Sequence, residues 1–247
     1  MAGSKTRPPF AIGLKKDNEA LNIEGLRTYF SEQLIKKKIS TFEEWSSKTR
    51  GIQIYNVSTP TIRFALLSAY HKTVLIDKNT GEISKSNAKL TDSNNLLNLN
   101  SWHSSRYKTV EHIAPKNAKD SNSWSQDIYS DGDVIPNSLG NLTLLPQAEN
   151  EAIGNNPWAI KKVYLSCFTA PSANDVDTQI NIMKKSGLNI RKPVIKLMKE
   201  NYALGLLVSS LLEISEWNRN SIITRHNYLA KIIWADSCEH LPLKPIT

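Results

Sequence analysis

The sequence predicts a mainly α chain with a small embedded ββα arrangement, an α+β fold. Three observations carry that expectation. Apolar residues recur at helical spacing through most of the 247 residues. Ser, Thr, Asn, Pro and Gly fall where helices open and close. Only 106–156 breaks the rhythm, with two short runs of β-branched and apolar residues.

The bulk properties set the frame. The length allows one large or two small domains, and 40% hydrophobic content is ordinary for a chain with a sizeable core. Lys and Arg number 31 against 23 Asp and Glu, a net charge of +8 that favours a polyanionic partner. Between Pro157 and Glu200 eight basic residues stand against three acids, a pattern that a solvated face would also show. Cys167 and Cys238 are isolated, so neither a disulfide framework nor a zinc ribbon is indicated, and a reducing compartment fits. No apolar run reaches the roughly 18–20 residues of a membrane span. The opening "MAGSKTRPPF" lacks the apolar stretch of a signal peptide and has the look of an expression scar. The expectation is a cytoplasmic protein with no membrane association.

The elements follow in order. Leu26, Tyr29, Phe30 and Leu34 recur at helical spacing, and Thr41 with Glu44 forms a capping box for a short helix through Trp45. In "STPTIRFALLSAYH", Thr59 reads as N-cap and Pro60 as the first helical residue of a helix through about Tyr70. "VLIDKNTGEIS" is a hairpin turning on Asn79, Thr80 and Gly81. It resembles a calcium loop only superficially, since the glycine is misplaced and the terminal Glu is missing. The Asn, Ser and Asp content of 84–101 reads as a linker. Past the middle, Asn156 can cap and Pro157 can open a helix through Phe168. Helices follow at about 175–186, ended by Gly187, then at about 193–214 and about 221–234.

The middle holds the chemistry. "YKTVEHIAP" reads as a strand stopped by Pro115. "LGNLTLLPQAEN" reads as a turn, a strand from Leu142 to Leu145 and the opening of a helix bearing Asn150. With His112 ending the first strand, the order is strand, loop, strand, helix.

Glu111-His112-Ile113, Asn141 and Asn150 resemble the HNH (ββα-metal, His-Me finger) nuclease motif, in the variant whose last His is replaced by Asn, as in RNA-guided CRISPR nucleases. More closely, "TVEHIAPKN", "LGNLTLLPQAEN", "GNNPWAIKKVYL" and "IITRHNYLAKIIW" resemble the C-terminal nuclease domain of GmrSD-type modification-dependent restriction enzymes, over about 54–236. The resemblance implies an endonuclease acting on DNA, in double-stranded form, as the effector of an anti-phage restriction system. Cleaving a phosphodiester needs a nucleophilic water, charge stabilisation on the phosphate and help for the leaving oxygen. A neutral imidazole can take a proton near neutral pH, which makes His112 the candidate general base. Glu111 and Asn150 offer hard oxygen ligands suited to Mg²⁺ or Mn²⁺. By resemblance, Asn141 braces the loop and orients His112. Lys161, Lys162 and Asn155 are the candidate nucleic-acid contacts.

Other residues carry plainer expectations. His103 reads as a surface or packing histidine and His226 as a structural one. Trp102, Trp124, Trp158, Trp217 and Trp234 read as core or interface anchors rather than stacking platforms, and Asp120, Asp127, Asp131 and Asp133 as a solvated loop. The expected division is a helical support region with a hairpin over 1–105, the nuclease core over 106–170, and a helical part packing on it over 171–247. The upstream DGQQR-like signature of the sensor and nucleotide-hydrolysing domain in complete enzymes of this type is missing. The chain is therefore either a C-terminal portion of a longer protein or a nuclease that depends on a partner subunit. RNA as substrate stays open, and the rival class is a catalytically silent nucleic-acid-binding or partner-docking module.

Overall fold

The computed structural model describes residues 23–241 and 243, apart from 88, 90, 92, 93, 118–122 and 133. The first 22 residues, with the "MAGSKTRPPF" reading, lie outside that set, as do Asp120 and Asp133. The described structure is mainly helical with two small two-stranded sheets, an α+β architecture. Its contacts divide it into two units, 1–46 with 234–247, and 47–233.

In the first unit, α1 (Ile23–Lys36) ends at Lys38, whose φ of 55° turns the chain out of the helix. The predicted capping box opens α2 (Phe42–Arg50): Thr41 Oγ1 accepts from the Glu44 backbone N–H at 3.3 Å, and the Glu44 carboxylate accepts from the Ser40 and Thr41 N–H groups at 2.7 and 3.2 Å. The Trp45 and Trp234 rings meet at 6.1 Å.

The second unit holds the candidate site. One turn of helix, α3 (Ile54–Val57), leads into α4 (Thr59–Tyr70). The cap of α4 is Ser58 rather than Thr59: Ser58 has the extended backbone a cap needs and its hydroxyl accepts from the Thr61 N–H, whereas Thr59 is already helical. Helix α4 buries Ile62, Leu66, Leu67 and Tyr70. Strands β1 (Thr73–Asp77) and β2 (Glu82–Lys85) form the expected hairpin, with Asp77 accepting from the Asn79 N–H and Gly81 at φ 69°. The run read as a linker ends in α5 (Leu99–His103), capped by Asn98, whose side chain accepts from the Ser101 N–H at 2.8 Å.

Strands β3 (Thr109–His112) and β4 (Leu142–Leu145) pair antiparallel, with Glu111 opposite Thr143 and His112 opposite Leu142. Then come α6 (Gln147–Ile153), α7 (Trp158–Phe168) and α8 (Ala173–Lys185). Asn156 does not open α7; its side chain closes α6 by donating to the Ile153 carbonyl at 2.7 Å, and Pro157 takes the cap position. The helix expected over about 193–214 is broken. Helix α9 (Lys192–Glu200) and the short α10 (Leu206–Ser209) are separated by a segment in which Ala203 has φ 59°, and the Ala203 and Leu204 N–H groups donate to the Ala170 and Phe168 carbonyls. Those tertiary bonds outweigh local helical preference.

Helix α11 (Arg219–His240) is the last described helix, and no helix among the described residues is long and apolar enough to cross a membrane. Fully buried Arg225 donates to the carbonyls of Gly140 and Leu142, each at 2.8 Å, and so holds the start of β4. Gly140 is the residue at which this approach is tight: a methyl there would run into the Ile222 carbonyl oxygen. The insert acids Asp127 and Asp131 are exposed but not merely solvated, since both bond to Arg219. Trp124, Trp158, Trp217 and Trp234 are buried, as expected of anchors, and both cysteines are free.

Candidate active site

Strand β3 sends its two chemical side chains to different surroundings, because neighbours on a strand face opposite ways. Glu111 is 7% exposed, and its carboxylate accepts from Lys161 Nζ at 2.5 Å. Lys161 comes from α7, is 0% exposed, and also donates to the His112 carbonyl at 2.8 Å. Burial pushes the Glu111 carboxyl up and the Lys161 ammonium down, and each partner opposes the other's shift. The expectation that Lys161 meets a DNA backbone therefore does not hold in this fold, since its ammonium is inside and bonded to protein.

The His112 imidazole is half-buried. Its Nε2 lies 3.2 Å from Asn137 Oδ1, and the Tyr55 ring is 4.2 Å away at 60°. Burial, more than any nearby charge, lowers its pKa to about 4, so the ring is neutral at physiological pH. Lys116 stands with its ammonium 5.4 Å from the Tyr55 ring and 3.4 Å from Asn56 Oδ1.

Asn141 is fully buried and bonded at both ends of its amide. Its oxygen accepts from the Ala114 N–H and from Trp217 Nε1, each at 2.9 Å; its nitrogen donates to the carbonyls of Ala114 and Pro136, each at 2.8 Å. It thus closes the base of the long β3–β4 connection, while the His112 ring is held by Asn137. Asn150, on α6, donates to Thr109 Oγ1 at 2.9 Å and to the Val110 carbonyl at 3.4 Å, which sets it against β3. Asn155 is exposed in the turn after α6. Lys162 lines a shallow cleft with Trp158, Val163 and Leu212, away from the strand residues.

The fold thus brings Glu111, His112, Asn141 and Asn150 around one pair of strands and puts Lys161 beside them in a role that differs from the expected one. Three neighbours of His112 escape sequence reasoning. Lys116 stands in the same run as His112 and could have been weighed. Asn137 and Tyr55 carry no signal, because only the folded chain sets them against the imidazole.

A divalent cation does not fit this arrangement as it stands. Glu111 is the one carboxylate of the expected ligand set, and its charge is already met by a buried ammonium. Among the described residues no three His, Cys, Asp or Glu side chains gather as a ligand group.

The family of the C-terminal domain of the GmrSD restriction endonucleases matches residues 57–232, most of the chain. The chain belongs to that family, which makes it a restriction-endonuclease-related domain. No curated protein matches it.

Proposed function

We propose that the chain is an HNH-type endonuclease whose general base is His112 and that it cuts DNA as the effector of an anti-phage restriction system. The observation that carries this reading is a neutral imidazole at the end of β3, gripped on one ring nitrogen, in a chain of a restriction-endonuclease family. His112 takes a proton from the attacking water. Lys116, beyond Tyr55, supplies positive charge for the phosphate, a part that Lys161 cannot play from the interior. Asn141 keeps the loop base closed so that the strand end stays in place. Mg²⁺ or Mn²⁺, with Glu111 and Asn150 as oxygen donors, is the form of this chemistry that the family resemblance implies, and it requires the carboxylate to leave Lys161.

A second reading, a silent DNA-binding module, is favoured by that same sequestered carboxylate. One experiment separates them: supercoiled plasmid with the purified chain, in Mg²⁺, Mn²⁺ or EDTA, beside His112→Ala. The nuclease reading expects nicking that falls by about 100-fold or more in the variant, in the range of a lost general base. A fully active His112→Ala would overturn it, and a folded wild type that binds DNA without cutting in any condition supports the binding module.

A further inference from the structure

We infer that Asn137 is a positioning residue that holds His112 in the tautomer protonated on Nε2, leaving Nδ1 as the nitrogen that takes the proton. The inference rests on the nuclease reading only for what that tautomer is used for. Asn137 is fully buried, and its side-chain oxygen lies 3.2 Å from His112 Nε2. An amide oxygen can only accept, so a ring nitrogen at that distance carries the proton. A neutral imidazole has one N–H, and Nδ1 therefore keeps its lone pair.

The acceptor is itself held along its backbone. The Pro136 carbonyl accepts from Asn141 Nδ2 at 2.8 Å, the Asn137 carbonyl accepts from the Tyr55 N–H at 3.2 Å, and the Ser138 N–H donates to the Ile135 carbonyl at 3.1 Å. The second of these bonds matters most. Through its main chain Asn137 places the helix turn whose Tyr55 ring packs on the imidazole, and through its side chain it chooses the nitrogen that bears hydrogen. One residue thus fixes both the plane of the ring and its tautomer, the two properties a general base must have before substrate arrives. In the step this serves, water gives its proton to Nδ1 as its oxygen bonds to phosphorus. The phosphorus bond to the leaving oxygen breaks, and that oxygen takes a proton from solvent. The imidazolium left behind keeps its Nε2–H on the Asn137 oxygen until Nδ1 returns its proton to solvent.

The test reads the tautomer directly, by long-range ¹H–¹⁵N correlation spectra of the ¹⁵N-labelled full chain, with the His112 signals assigned by their loss in His112→Gln. Wild type should show hydrogen on Nε2. Asn137→Ala should mix the two tautomers and lower kcat for plasmid nicking on the order of 100-fold, with KM within about twofold. Asn137→Asp, which keeps an oxygen acceptor, should restore the Nε2–H form and most of the rate. Hydrogen on Nδ1 in wild type overturns the inference whether or not the chain cuts DNA, and so does a folded Asn137→Ala with wild-type tautomer and rate. Should Asn137→Ala fail to fold, the wild-type and Asn137→Asp spectra decide. A wild type with the Nε2–H form but no cleavage under any metal condition sinks the nuclease reading and leaves the tautomer assignment standing.

Discussion

At the scale of single residues, the Lys161–Glu111 pair is the feature with the largest energetic stake. Two charges at 2.5 Å, with side chains 0% and 9% exposed, have given up most of their hydration for each other. Removing one leaves the other buried and uncompensated, so Lys161→Met should destabilise the fold by about 3–5 kcal/mol in urea unfolding. The double variant Lys161→Met with Glu111→Gln should recover most of that loss, because a neutral amide needs no counter-charge. A single variant as stable as wild type would show that the pair is not charged in the folded state. The sequence makes the candidate residues of this site legible and hides their partners. Glu111 and His112 announce themselves by adjacency at a strand end, and Asn141 by the turn it follows. Nothing local tells that Lys161 points inward while Lys162 does not, since that depends on where α7 meets β3.

At the scale of elements, capping separates what one sequence can and cannot settle. Ser58 and Thr59 are both good caps by chemistry, and only the backbone shows which residue is extended. Ser58→Ala should therefore cost about 1 kcal/mol of stability and Thr59→Ala distinctly less, measured by chemical denaturation. Equal losses would contradict the assignment. The strands, the capping box of α2, the hairpin and most helix ends are readable because short-range periodicity and turn residues determine them. The break between α9 and α10 is not, because it is made by bonds from Ala203 and Leu204 to carbonyls of 168–170, some thirty residues back. Asn156 misleads for the opposite reason: it can cap either neighbouring helix, and it closes the earlier one.

At the scale of the whole molecule, two histidines, one buried and one half-buried, couple stability to pH. Burial lowers both His112 and His226 to about 4, and among the described residues His226 has no hydrogen-bond partner for either ring nitrogen. The unfolded chain binds these protons near pH 6.5, the folded chain only near 4. Their contribution to stability is then level above pH 6.5 and falls as pH drops toward 4, by up to about 1.4 kcal/mol per pH unit for each group. Urea midpoints from pH 7.5 to 4.5 should trace that fall, with a shallower slope in His112→Gln. An unchanged slope would mean that His112 titrates alike in both states.

The Asn141 brace binds one more consequence to the order of the chain. Its oxygen bonds Trp217, and Arg225 secures the turn beside it. A ribosome makes Asn141 and Gly140 roughly eighty residues before those partners, so the nascent chain carries strand β3 and the turn into β4 without the bonds that brace them. The turn that starts β4 therefore gains these bonds only once α11 has emerged.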